Sequence, residues 1–383
     1  KAELLSCLGS DKNLDIIGPN FVVAEANQTS HDLLSKLGGT IKIAKFLSSI
    51  STLESLDIDL WQKYLTDKIK PNEKIFFGFS LYNDSQKNHK TITNTALQLK
   101  KHLQSQNYKV RLVTSHSAEL SSVIVAKNKL LGRELIIIKH ENCWLLGLTE
   151  AVQDFADYGY RDIGRPYRDD KSGMLPPKVA KMMINIGTGQ NNPDNILDPF
   201  CGSGTILQEA LLLGFKKIYG SDISDQAVRN SQNNLTWLKE NYKLNATTII
   251  KHSPVQKLSQ SFVKENFDLI VTEPFMGEAG LIQKTQDINT LNNIAGNLQD
   301  LYREAFKEFH KILSSNGKIV FIFPIFAIDN KKIATLDKVA ISQLGFSWIK
   351  PPLTSPLLSE AGNIIYSRPQ QKVLREISIW QKI

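Results

Sequence analysis

Eight consecutive residues carry the clearest chemistry in the chain: Asp198-Pro199-Phe200-Cys201-Gly202-Ser203-Gly204-Thr205. They follow a short apolar run, Asn195-Ile196-Leu197-Asp198, and open a helix-like stretch that ends at Gly214. Gly202 and Gly204 remove side chains where a backbone must turn tightly against a ligand. No lysine follows them, and the spacing is not that of a phosphate-binding P-loop. An acid leading the turn suits a positively charged ligand, or one with amino and hydroxyl donors. Asp222 ends the next apolar strand, the place where an acid grips ribose hydroxyls in nucleoside-binding sheets. Ile223 beside it can pack on an adenine face. The set describes a pocket for a nucleoside with a cationic tail.

These residues need a scaffold, and the sequence predicts one. From residue 195 onward, strand-like runs (NILD, KIYGSDI, TTIIKH, FDLIV, GKIVFIFP) alternate with helix-like ones. That order implies a parallel, doubly wound α/β sheet of Rossmann-like type, with ligands beyond the carboxyl ends of its strands. Before it, Met174–Gly187 (MLPPKVAKMMINIG) reads as a helix with prolines in its first turn. Residues 157–173 are charged, aromatic and broken by Pro and Gly, and read as a linker or structured loop. Further upstream, KIFFGF, KVRLV and ELIII are strand-like, and Thr91–Gln104 repeats apolar residues at helical spacing. The expected division is 1–72, a small α+β unit that resembles a ferredoxin-like domain; 73–150, a second α/β or α+β module; 151–172, a linker; and 173–383, the ligand-binding domain.

The chain has 383 residues and a formal net charge of +8, shared equally between residues 1–150 and 151–383. A polyanionic partner is compatible with this excess but not demanded by it. No apolar run is long enough to span a membrane, and Lys1 opens the chain with no visible secretory signal. Three scattered cysteines, Cys7, Cys143 and Cys201, form neither a disulfide framework nor a metal cluster. A reducing, cytoplasmic setting is expected, and no metal site. Cys201, inside the glycine turn, reads as a packing residue.

The turn DPFCGSGT resembles the S-adenosylmethionine (SAM) motif of class I methyltransferases that modify exocyclic amino groups of nucleic-acid bases. The resemblance implies SAM as cofactor, held by Asp198, Pro199, Phe200, Gly202, Gly204, Thr205, Asp222 and Ile223. Ser253, in Lys251-His252-Ser253, falls where such enzymes usually carry an Asp that contacts the adenine amine. After the fourth strand those enzymes place Asp/Asn-Pro-Pro-aromatic. The acid and a proline carbonyl accept the hydrogens of a base amine, orient its nitrogen for in-line attack, and leave the aromatic ring to stack on the base. Here the sequence is Glu273-Pro274-Phe275-Met276. Glu273 keeps the acceptor with one more methylene of reach, and Phe275 supplies a ring from a shifted position. The departure leaves the identity of the acceptor atom open.

Residues 73–150 resemble a THUMP domain, an RNA-binding module of tRNA-modifying enzymes, through KIFFGFSLY, LSSVIVAKNKLLGRELIII and CWLLGLTEAVQDF. The stretches RDIGRPYRDD and GMLPPKVAKMMINI resemble the junction in archaeal tRNA guanine-N2-methyltransferases. This implies a tRNA substrate methylated at guanine N2, with phosphate contacts from Lys127, Lys129 and Arg133 and from Arg161, Arg165 and Arg168. The three linker arginines equally suit a role in locking the linker onto the catalytic domain. A DNA amino-methyltransferase, or a tRNA-binding protein that is non-catalytic or needs a partner subunit, remain the alternatives.

Overall fold

Among the described residues, sixteen strands fall into three sheets, and the largest belongs to the half that carries the glycine turn. The computed structural model describes the chain except for residues 10–13, 18–19, 68, 70–72, 85, 169–173, 192, 286, 329–330, 352–357 and 370. The chain forms two units, one of Lys1–Ser10 with Asp157–Ile383, the other of Asp11–Ala156.

In the first unit, β8 (Asn195–Asp198), β9 (Lys217–Asp222), β10 (Thr247–His252), β11 (Phe267–Thr272) and β12 (Leu313–Ile328) run parallel in the order β10-β9-β8-β11-β12. β16 (Val373–Lys382) then pairs antiparallel with β12, and β14 (Phe346–Ile349) with β16. Two short strands, β13 (Lys331–Ala334) and β15 (Ile364–Tyr366), extend β12 and β16. The order reverses between β8 and β11, the switch point at which such sheets open a crevice for ligands. One apolar cluster centres on Phe306, Phe321, Phe346 and Trp380, packing the helix Ile288–Ile312 on the sheet. A second joins the helices Pro177–Thr188 and Thr205–Leu212 to Ile196, Leu269 and Val320. The helices start where side chains cap them. Asp287 accepts from the backbone N–H of Asn289 and Thr290, and Ser224 from that of Ala227.

The second unit holds a hairpin, β1 (Leu14–Ile17) with β2 (Phe21–Ala24), and a five-stranded sheet. The sheet runs β3 (Lys42–Ile50), β7 (Cys143–Val152), β6 (Glu134–His140), β4 (Ile75–Tyr82), β5 (Val110–Val113). The expected boundary at 72/73 therefore falls inside one sheet, because β3 pairs antiparallel along β7. A buried carboxylate secures that pairing. Glu134 accepts from Lys42 Nζ at 2.6 Å, Ser80 Oγ at 2.5 Å and Thr149 Oγ1 at 2.6 Å, joining β3, β4, β6 and β7.

Two further expectations change. The first helix, Ala2–Leu8, belongs with the catalytic-half core: Ala2 joins the cluster of the helix Pro177–Thr188, and Asn185 Nδ2 donates to Glu3 Oε1 at 2.7 Å. The presumed linker starts as a helix, Phe155–Ile163. Its buried face is made by Arg161 rather than by aliphatic residues, which is why no apolar period betrays it. Positions 169–173 of that linker lie outside the described residues.

Candidate active site

All four residues of β8 are buried, and Asp198 closes the strand at 2% exposure. Its Oδ1 accepts from Thr272 Oγ1 at 2.7 Å and from the Phe200 N–H at 3.2 Å. Burial pushes its carboxyl up to about 7, and the nearby carboxylates of Asp222 and Glu273 push the same way against those two bonds. Such an acid gains most from a cation brought beside it.

The turn that follows is held by backbone. Cys201 N–H donates to the Ser221 carbonyl at 2.9 Å, and Gly204 N–H to the Cys201 carbonyl at 2.7 Å. Gly204 has φ 85° and its missing Cβ would lie 2.5 Å from Ser231 Oγ, so both conformation and crowding require glycine. Gly202, at φ 50°, faces open space instead, which leaves backbone exposed to a ligand. Gly202 N–H donates to Asp222 Oδ2 at 2.9 Å, and Ser224 N–H to Asp222 Oδ1 at 2.9 Å. Each carboxylate oxygen keeps a second lone pair for a ribose hydroxyl. Ile223 stands beside it 72% exposed. Ser253 differs from expectation: it is buried, and its Oγ lies 2.7 Å from Ser261 Oγ. Its hydroxyl is engaged inside the fold.

The acceptor loop leaves β11 at Thr272, next to β8. Pro274 is buried and Phe275 is 54% exposed. Tyr302 Oη, from the helix Ile288–Ile312, donates to the Phe275 carbonyl at 2.7 Å and fixes the loop beneath the ring. Glu273 Oε1 accepts from Arg375 Nε of β16 at 2.5 Å. Burial pushes the Glu273 carboxyl up and the guanidinium pulls it back. Asp198, Asp222 and Glu273 thus stand at the carboxyl ends of β8 and β9 and just past β11, three acids against one arginine. These acidic acceptors and the open backbone at Gly202 fit SAM, whose amine and sulfonium are cationic. Thr272, Tyr302 and Arg375 are site residues that the sequence did not single out. Thr272 was detectable as the hydroxyl preceding Glu273; Arg375 lies about a hundred positions from its partner and carries no local signal.

Two of the arginines proposed for RNA face inward. Arg161 is 2% exposed; its Nε donates to buried Glu209 Oε1 at 2.6 Å, it pairs with Asp157, and it lies 3.8 Å from the Tyr158 ring centroid. Arg165, also buried, donates to Thr205 Oγ1 at 2.8 Å. Their guanidinium groups are committed within the fold, so phosphate contact is withdrawn for both, and they lock this segment to the SAM turn. Asn234 adds to the lock. It accepts from Tyr167 N–H at 3.0 Å and donates to the Tyr167 and Ser203 carbonyls at 2.9 Å each. Arg168 is exposed. In the other unit Lys127 and Lys129 are exposed at the end of the helix Ser122–Lys127, whereas Arg133 pairs with Glu73 at 2.7 Å.

The strand order, the glycine turn at the switch point and the paired acids define a class I methyltransferase fold. Residues 165–331 match the family described as an RMKL-like methyltransferase domain, and residues 79–233 one described as a DNA methylase. The second match stops before Glu273, so it takes in the SAM turn but not the acceptor loop. The tRNA (guanine(10)-N2)-dimethyltransferase of Pyrococcus abyssi is 29% identical over 151 residues, 39% of this chain and 39% of that one. A probable tRNA (guanine(10)-N2)-dimethyltransferase of Methanothermococcus thermolithotrophicus is 32% identical over 147 residues, 37% of this chain and 82% of that one. The chain belongs to this family of tRNA guanine-N2-methyltransferases. It matches about two-fifths of the length of the Pyrococcus abyssi relative. The fold is similar to that of TrmN from Thermus thermophilus, with a TM-score of 0.52 at 13% identity over 94% of this chain and 89% of that one.

Proposed function

We propose that this chain methylates the N2 amine of guanine in tRNA with SAM as donor. The observation that carries the reading is the geometry at the switch point, where one hydroxyl, Thr272, joins the acid of the SAM turn to the strand end that bears Glu273. Bound SAM supplies an electrophilic methyl group on a sulfonium sulfur. Asp198, Gly202, Gly204 and Asp222 would hold it, with Pro199, Phe200 and Thr205 shaping the turn and Ile223 against the adenine. Ser253 would contribute backbone support at the adenine end rather than a hydroxyl contact. Glu273 presents a carboxylate oxygen to an amine hydrogen, Pro274 fixes the direction of the loop, and Phe275 offers its exposed ring to the base. The guanine must leave its stack to reach this pocket.

The unit Asp11–Ala156 is assigned as the THUMP-like RNA-binding part, with Lys127 and Lys129 as its phosphate contacts. Arg168 is the linker arginine that stays with this role, and Arg133 a weaker one because Glu73 already takes its charge. Among the described residues no helix is long and apolar enough to cross a membrane, and the proposal includes a cytoplasmic setting. An activating protein subunit is compatible with it.

The test is transfer of labelled methyl from SAM to unmodified tRNA, followed by digestion and nucleoside mass spectrometry. N2-methylguanosine that disappears in Glu273→Ala is expected. Methylation of duplex DNA in preference to tRNA would replace this reading with the DNA one.

A further inference from the structure

Glu273 is longer than the acid that serves this place in the family it resembles, and the extra methylene gives it a further torsion to fix. A flexible acceptor is a poor one, because catalysis by orientation requires the accepting atom to be held before the substrate arrives. One residue in the structure meets that need. Arg375 is buried on β16, opposite Pro324 of β12, and its Nε–H reaches the end of β11 to bind Glu273 Oε1 at 2.5 Å. That bond engages one carboxylate oxygen, Oε1.

We infer that Arg375 is a positioning residue for methyl transfer: it fixes the rotation of the Glu273 carboxylate, so that Oε2 can accept a hydrogen from the base amine. The inference rests on the amino-methyltransferase reading of the acceptor loop. The charged and titratable groups around Glu273 come from three elements. Arg375 on β16 favours its ionised form. The Glu273 charge in turn pushes Asp198 on β8 and Tyr302 on the helix Ile288–Ile312 toward their own neutral forms. Among the described residues Arg375 is the cation that lowers the Glu273 carboxyl against burial, so its loss favours the protonated form. A neutral carboxyl has lost one of its acceptor oxygens to an O–H donor.

The experiment measures kcat and KM for tRNA against pH from 5.5 to 9 in the wild type, Arg375→Gln and Arg375→Lys, with SAM affinity measured alongside. For Arg375→Gln, kcat at pH 7 should fall roughly ten- to a hundredfold, and the acid limb of its profile should move up by about one pH unit or more. SAM affinity and KM for tRNA should stay within about twofold, since a loss confined to kcat marks an interaction made in the transition state. Arg375→Lys keeps the charge and loses the directed Nε–H. Its acid limb should stay with the wild type while kcat falls about fivefold or more. Superimposable acid limbs in wild type and Arg375→Gln would overturn the inference. If the glutamine variant does not fold, the lysine variant decides: an unreduced kcat overturns the positioning role. A wild type that methylates no tRNA would instead remove the functional reading on which the inference stands.

Discussion

Thr272 Oγ1 donates to Asp198 Oδ1 at 2.7 Å, so the acid of the SAM turn and the strand end of the acceptor loop share one hydrogen bond. Thr272→Val keeps the shape and removes the donor. The expected cost is about 1–2 kcal/mol of stability, with weaker SAM binding at pH 7, because that bond is the first of the forces holding the Asp198 carboxyl down against burial. Titration calorimetry with SAM and thermal unfolding check both parts; a variant equal to the wild type in both would remove Thr272 from the site.

Asp198 also sets a pH dependence. Burial raises its folded-state value to about 7, above the ordinary 3.8. The folded, SAM-free protein therefore holds a proton that the unfolded chain has released between roughly pH 4 and 7, and stability falls as pH rises through that window. Affinity for cationic SAM should move the opposite way, rising from pH 6 to 8 and levelling above. Asp198→Asn should abolish both trends while leaving the apo protein folded. Unfolding curves across pH 4–8 that keep the same slope in Asp198→Asn would show that another group is responsible.

The parts of this site that the sequence disclosed are local. Gly202 and Gly204 sit within six residues of Asp198, and the positive φ at both suits the tight turn their spacing implied. Asp222 ends β9 as the strand pattern required. What escaped depends on partners far along the chain. β3 finds β7 across the expected domain boundary, the helix Ala2–Leu8 finds Asn185, and Arg375 finds Glu273. The helix Phe155–Ile163 escaped for another reason. Its inward contacts are Arg161 to Glu209 and Tyr242 to Asp157, and a face built from charge has no apolar period to read. Arg161 and Arg165 take the second of the two roles that the sequence allowed them, locking this segment onto the catalytic domain.

Arg161→Met separates these two readings of the segment. Removing Arg161 breaks a buried pair and leaves Glu209 to Lys181, whose Nζ lies 3.6 Å from Oε2, at a cost of up to roughly 3–5 kcal/mol. Thermal unfolding should show that loss in the catalytic half. If Arg161 instead contacted phosphate, stability would hold and the salt dependence of tRNA binding would flatten. That second pattern would restore the assignment withdrawn above.

Lys127 and Lys129 should behave in the reverse manner. Both are exposed, so alanine at both positions should leave stability unchanged. The proposed phosphate contacts predict weaker tRNA binding and a log–log salt slope smaller by about one for each lysine lost. Filter binding from low to moderate salt measures the slope. An unaltered slope would assign these lysines to a solvated face.

Phe275 gives the last prediction, because its ring is open to solvent while its carbonyl is held by Tyr302. Backbone anchoring and side-chain function are thus separable at this residue. Phe275→Ala removes the ring without touching the Tyr302 bond, so the fold and SAM affinity should be preserved. Loss of base stacking should cost about 1–3 kcal/mol in kcat/KM for tRNA, and Phe275→Tyr should recover most of it. Tyr302→Phe breaks the anchor instead and should lower stability as well as activity. If Phe275→Ala keeps full kcat/KM, the base is held by something other than this ring, and the departure of Glu-Pro-Phe-Met from the family pattern would have moved the stacking partner elsewhere.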